Sequence, residues 1–304
     1  MAACKVVGKE AQILTSSTKK GTQLAIGYAL ISALLYAFYP PLAKLLIHSV
    51  PVAILSSLLY LGTGLGTTLI YPVVHHASHT SNGLKRTDIP ALVAVIGFNI
   101  VASILMNLAL KLSDAGTVSL LGNFEIVATS VLALLFFHEH ISRGLGLGIA
   151  VITIASLLLS STGVTHFSLS IGAILAIVAT ACWGLENNLT RVLSDRDPLQ
   201  VVIVKGMGVG IGSLIVSLFL RESWPAVGTI IAALVLGFFA YGISIVFYIL
   251  SQRYIGAAKT SAYYAVSPFL AVILSFFLLG ERPTALFGVA LVLMIVGTVL
   301  VTKE

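Results

Sequence analysis

Charge is what this sequence has least of. Only 9% of its 304 residues are Asp, Glu, Lys or Arg, where a soluble globular domain carries roughly 25%. With 58% hydrophobic residues and a mean hydropathy of +1.06, the apolar side chains exceed what one water-soluble core can bury. That excludes an ordinary soluble domain and points to a polytopic membrane protein. Cysteine is nearly absent: Cys4 and Cys182 stand far apart and make neither a disulfide framework nor a thiolate metal site. Residues 1–21 lack the continuous apolar core of a signal peptide, so no cleavage is expected. The glycine-rich stretches GTGLG (62–66) and GMGVGIG (206–212) lie inside apolar runs without the strand-then-helix setting of a phosphate loop. Small residues there would instead let helices approach closely. No nucleophile–base set and no ATP-binding motif is found, so the chain is read as a non-enzyme without a cofactor, and any pumping would draw on a gradient.

What is present is apolar sequence in long runs. A helix rising about 1.5 Å per residue needs about 20 apolar residues to cross about 30 Å of hydrocarbon. Ten such runs are expected, at 22–47, 51–73, 90–110, 115–137, 144–162, 168–193, 199–220, 226–250, 256–279 and 285–302. Backbone polar groups in lipid must be satisfied internally, so runs of this length predict helices. The longest linker, 74–89, is polar and carries His75, His76 and His79. Their spacing would suit a metal on a helix, but Asp88 is the one carboxylate nearby, and no metal site is expected. His138 and His140 flank Glu139 as loop residues, and Glu139 and Glu281 are expected to cap or pair at the ends of runs.

With the N-terminus inside, the cytoplasmic face holds Lys5, Lys9, Lys19, Lys20, Lys85, Arg86, Arg143, Arg191, Arg196, Arg253, Lys259 and Lys303. The outer face holds only Lys44, Lys111, Arg221 and Arg282. This asymmetry predicts both termini in the cytoplasm of a multi-pass plasma-membrane protein. It also accounts for the net charge of +6 with no nucleic-acid partner; the partner surface is the lipid bilayer.

The chain also repeats itself. Laying Ser119 on Ser261 places Glu139 on Glu281, Gly146 on Gly288, and Lys111 on Arg253. Nearer the starts of the halves, YAFYPPLAK (36–44) lies over WGLENNLTR (183–191), followed by Pro51 over Pro198. Each half holds five runs, an odd number, so the second must enter from the opposite face. The expected organisation is a tail (1–21), a first five-helix repeat (22–163) and an inverted second repeat (164–304), an arrangement found in secondary transporters.

The W-G-x-x-x-N pattern at Trp183 and the stretch PFLAVILSFFLLGERPT (268–284) with FGVALVLMIVG (287–297) are similar to EamA-type members of the drug/metabolite transporter superfamily. The stretch 125–155 is an echo of 267–297, and the resemblance covers roughly 22–302. It implies an all-α membrane fold of ten helices in two inverted five-helix repeats. The cavity between them would be lined mainly by the first, third, fourth, sixth, eighth and ninth. It further implies alternating access to a small organic solute, often directed outward as efflux. The first half departs from the pattern where Glu125 and Ile126 stand in place of Ser267 and Pro268.

Three ionisable residues lie inside the runs, where each costs about 2.5–3.5 kcal/mol on insertion scales. Glu125 falls near the midplane. Glu186 and Lys205 fall at nearly equal depth, about 10–12 Å from the cytoplasmic surface. Two readings stay open for the latter pair: a structural clamp, with Asn187 and Asn188 as interhelical glue, or contact with solute or ion. Glu125 has two as well: a carboxyl exchanging a proton as access alternates, or a permanently neutral one bonded to Asn99 or Asn123. On the sixth run Trp183, Asn187, Thr190 and Arg191 share one helical face. Asn99, Asn107 and Asn123, with Tyr36, Tyr39, Tyr241, Tyr248, Tyr263 and Tyr264, add amides and rings suited to a small, partly apolar molecule. Pro40 and Pro41 should bend the first run. A secondary transporter, expected to be an exporter, is the leading reading. A membrane-embedded enzyme lacks the clustered carboxylates or histidines it would need, and a sensor or scaffold gains nothing from two opposed halves. The oligomeric state is not legible.

Overall fold

The structure is a computed structural model and describes residues 21–76, 82–137, 143–160, 170–190, 193, 196–248, 250–251, 260 and 263–302. Among the described residues the regular elements are helices joined by short turns, with one isolated bridge between Asn82 and Arg196. In chain order they form α1 (Gly21–Leu46), α2 (Val52–His76), α3 (Ile89–Leu112), α4 (Ala115–Leu121), α5 (Phe124–Phe137), α6 (Arg143–Ser160), α7 (Ile171–Thr190), α8 (Pro198–Phe219), α9 (Val227–Tyr248), α10 (Ser267–Leu279) and α11 (Ala285–Thr302). Among the described residues, seven helices are long and apolar enough to cross a membrane, and three further apolar helices are shorter. Their surface suits that solvent: Leu69, Phe219 and Phe277 are each at least 80% exposed, a cost in water that lipid removes.

The described helices overlap the expected apolar runs, but not every run is one continuous helix. The fourth run is two helices, α4 and α5, and of the ninth run Ser267–Leu279 is a regular helix. The 74–89 linker is shorter than expected, because α2 continues through His75 to His76. His79 lies outside the described residues, as do His138, Glu139 and His140.

Helix α1 shows how composition sorts the faces. Ala25, Ala29, Ala33 and Ala37 repeat at one helical spacing and are wholly buried, while Leu30, Ile31 and Leu34 are exposed. Lipid is as apolar as leucine, so the small residues mark the packed side. Their partners are α9 and α10: Ser32 Oγ donates to the Ser244 carbonyl at 2.7 Å, and Ser267 Oγ to that of Ala33 at 2.8 Å.

The two halves pack through reciprocal pairs. Helix α2 lies along α8, α6 along α11, and α4 along α10. The contacts of α3 with α8, and of α5 with α7, are matched by those of α9 with α2, and of α10 with α1. Equivalent helices run antiparallel. At one end Glu222, past the end of α8, accepts from the Ala53 and Ile54 amides of α2. In the middle Ser57 donates to Gly210 at 2.7 Å. At the other end Tyr71 donates to Asp197 at the start of α8. Likewise Gly148 of α6 meets Val301 of α11 while Ile152 meets Gly297. Second helix against second, and fifth against fifth, are thus related by inversion.

The glycines make this closeness possible. A Cβ on Gly62 would sit 2.1 Å from the Leu234 carbonyl oxygen, and one on Gly237 would sit 2.0 Å from that of Leu59. Both neighbours are backbone and cannot swing aside. Gly62→Ala or Gly237→Ala should lower the thermal unfolding midpoint in detergent by the equivalent of about 1–3 kcal/mol, the cost of overpacking. Gly228→Ala, with nothing within 4 Å of its Cβ position, should leave the midpoint unchanged.

Candidate functional site

Four interruptions of helical structure meet at one place. In α1 the helix breaks at Phe38, because Pro40 and Pro41 have no amide to donate. Between α4 and α5, Gly122 and Asn123 form a turn held by shorter-range bonds, with the Asn123 amide donating to Leu120 and the Glu125 amide to Gly122, each at 3.1 Å. Residues 265–266 form the corresponding turn before α10, ahead of Pro268. Within α9, Phe238–Ile243 is a π-helical segment, a feature common at functional sites. Irregular backbone at this depth is tolerated only beside a cavity or inside protein.

The cavity is there. It has a volume of about 790 Å³, and Pro40, Gly122, Asn123, Tyr241, Ala265 and Pro268 all line it. Its aromatic wall is a tyrosine cluster: ring centroids of Tyr36 and Tyr241 are 5.7 Å apart, Tyr36 and Tyr264 5.9 Å, Tyr39 and Tyr241 5.1 Å, and Tyr248 and Tyr264 5.2 Å. These tilted arrangements are the favoured geometry for ring pairs.

Buried amides fix the rings. Asn99 Oδ1 accepts from Tyr60 Oη at 2.9 Å and from Trp183 Nε1 at 3.2 Å. Tyr39 Oη donates to Asn107 Oδ1 at 3.0 Å, and Asn107 Nδ2 to Ser56 Oγ at 2.8 Å. Asn188 donates to the carbonyls of Thr129 and Gly184, tying α7 to α5.

The charged groups divide into two sets. Glu186, 3% exposed, faces Lys205 Nζ at 3.2 Å and accepts from Thr190 at 2.6 Å. This is the pair expected from equal depth on neighbouring helices. Glu125 is elsewhere on the wall and accepts from Asn187 Nδ2 at 2.6 Å. The expected partners, Asn99 and Asn123, are not the ones used. The turn at Gly122–Asn123 resets the helical phase, and Glu125 faces α7 instead.

Of the candidates, Tyr36, Tyr39, Asn99, Asn123 and Glu125 line this cavity, as do Trp183, Glu186, Asn187, Lys205, Tyr241 and Tyr264. Tyr263 does not: it is 39% exposed, because adjacent helical residues point about 100° apart and Tyr264 takes the inward position. Arg191 lies outside the described residues. Tyr60, Thr129 and Ser244 also line the cavity and were not anticipated. Thr129 sits one turn from Glu125, a spacing that could have revealed it. Tyr60, a lone ring in the middle of an apolar run, left a weaker signal.

Polar ties close the end of the bundle that carries Lys44. Lys44 Nζ donates to the carbonyls of Leu110 and Ser113. Glu281 accepts from the Ala115 and Gly116 amides at 2.6 and 2.9 Å, satisfying the first turn of α4. Its expected role at the end of a run is therefore seen. At the opposite end Arg196 holds Asp88 through bonds of 2.7 and 3.0 Å.

Residues 23–161 and 170–303 each match the EamA-like transporter family. An uncharacterized transporter of Methanothermobacter thermautotrophicus (strain ATCC 29096 / DSM 1053 / JCM 10044 / NBRC 100330 / Delta H) is 26% identical over 223 residues, which are 70% of this chain and 64% of that relative. A protein known from a crystal structure is 18% identical and shares the fold, with a TM-score of 0.63 over 92% of this chain and 97% of its own.

Removing Lys205 alone would strand Glu186 in a nearly dry setting. Lys205→Met should therefore destabilise the protein by about 3–5 kcal/mol. Adding Glu186→Gln should recover most of that loss, read as thermal unfolding of the detergent-solubilised protein.

Proposed function

The chain belongs to the EamA-like transporter family, and we propose that it is a multi-pass membrane transporter, a gradient-driven exporter of small organic solutes working by alternating access. The observation that carries this reading is the 790 Å³ cavity where four helix interruptions meet, with the carboxylate of Glu125 in its wall. Its volume suits a small organic molecule.

The lining reaches from Met106 and Ser119 to Thr129, Val202, Tyr248 and Val301. These last residues lie toward the end where basic residues collect, which is the cytoplasmic end if both termini are cytoplasmic. The other end is tied by Lys44 and Glu281. On this reading the conformation is open to the cytoplasm of a cell whose plasma membrane holds the protein. The two repeats, proposed as 22–163 and 164–304, would exchange their roles to open the other side. Antiparallel packing of equivalent helices supports that exchange, since an inverted pair can adopt two mirror-related arrangements of similar energy.

Glu125 would bind solute in one step and a proton in the other. Glu186 and Lys205 would keep the α7–α8 wall neutral, with Asn187 holding Glu125 toward the solute. Proteoliposomes loaded with a cellular metabolite extract and given a pH step should release a subset of small solutes, measured by mass spectrometry. Glu125→Gln should slow that release about tenfold or more, the weight of one charge-assisted contact. Release by the variant with unchanged rate and unchanged pH dependence would remove the role of Glu125. No solute released by the wild type would remove transport itself.

A further inference from the structure

The class of solute follows from which polar groups around the cavity are already occupied. Glu186 is held by Lys205 and Thr190. Asn99 receives two donors on one oxygen. Two groups remain. Glu125 accepts from the neutral amide of Asn187, and among the described lining residues the one cation, Lys205, is bound to Glu186. Asn123 lines the cavity and is 4% exposed, and its Nδ2 has no partner among the described residues. A buried amide left unpaired costs free energy, and sites built this way reject analogues that lack the complementary atom.

Asn123 and Glu125 flank the same helix interruption, two positions apart, and both line the chamber. Around them stand the rings of Tyr36, Tyr241 and Tyr264, whose faces favour cations and other rings. We propose that the solute is an aromatic amine with a hydroxyl or carbonyl oxygen close to its ammonium group. The ammonium sits against Glu125, the oxygen accepts from Asn123 Nδ2, and the ring lies among the tyrosines. A carboxylate is disfavoured, because it would face Glu125 with no free cation among the described lining residues. This assignment rests on the cavity being the transport site.

The chain supplies its own reporter. Of its two tryptophans, Trp183 lines the cavity while Trp224 is 59% exposed outside it. Trp224→Phe therefore leaves fluorescence from Trp183 alone. The full-length variant in lipid nanodiscs is titrated with 2-amino-1-phenylethanol, 2-phenylethylamine, N-acetyl-2-phenylethylamine and phenylacetate. The amino alcohol should bind about fivefold or more tighter than the plain amine, and both amines about tenfold or more tighter than the neutral amide and the anion. Asn123→Ala should abolish the preference for the hydroxyl, read as the ratio of the affinities of the two amines. Glu125→Gln should bring the plain amine down to the affinity of its acetylated form. Circular dichroism confirms that each variant is folded.

Preferred binding of phenylacetate, equal binding of amine and acetamide, a hydroxyl preference that survives Asn123→Ala, or no fluorescence change with any of the four would each overturn the assignment. Solute release by wild-type proteoliposomes is scored separately, so the transport reading can stand when this one falls.

Discussion

Hydrocarbon offers no hydrogen bonds, and the whole architecture answers to that constraint. A peptide group facing lipid must find its partner within its own helix. The irregular turns at Phe38, Gly122–Asn123 and residues 265–266 accordingly gather around the interior cavity. Even there the loose ends are tied. The Asn123 and Glu125 amides make shorter-range bonds. Where α2 and α4 begin, the first amides are met by carboxylates from the opposite half, Glu222 and Glu281. These ties join the halves at the same time as they satisfy the helix starts.

The same constraint explains what could be read in the sequence. Run length and polar punctuation located the helices, since a span must be long and apolar whatever surrounds it. The odd number of runs per half implied inversion, and the antiparallel course of α2 and α8 agrees with it. What apolar periodicity cannot convey is direction. In water the greasy face of a helix is its inner face; in lipid both faces are greasy. Tyr263 and Tyr264 are therefore indistinguishable as letters, though one is exposed and the other lines the cavity. Tyr60 was hidden by the same ambiguity. Small residues, as in the alanine stripe of α1, and polar ones break the tie, and so the Glu186–Lys205 pair was legible from depth alone. Glu125 was harder, because its partner depends on a turn whose clue was the pair Gly122–Asn123.

The cavity wall keeps its charges unequal. One carboxylate meets a lysine and becomes part of the frame. The other accepts from the neutral amide of Asn187, which holds it in place without an ion pair. Tyr39 and Tyr60, braced by Asn107 and Asn99, line the same cavity, so little side-chain order there remains to be imposed when a guest arrives. On the proposed function, that difference between the two acids would let the chamber discriminate solutes by charge.

The π segment at Phe238–Ile243 has a mechanical meaning of its own. It stores one surplus residue compared with an α-helical path. Were that surplus passed along α9, the side chains it crossed would turn by about 100° while the helix ends stayed anchored. Tyr241 sits inside this slack, and Ser244 and Tyr248 follow it. Such a shift would trade one chamber-facing residue of the eighth run for another without dragging either end through the bilayer.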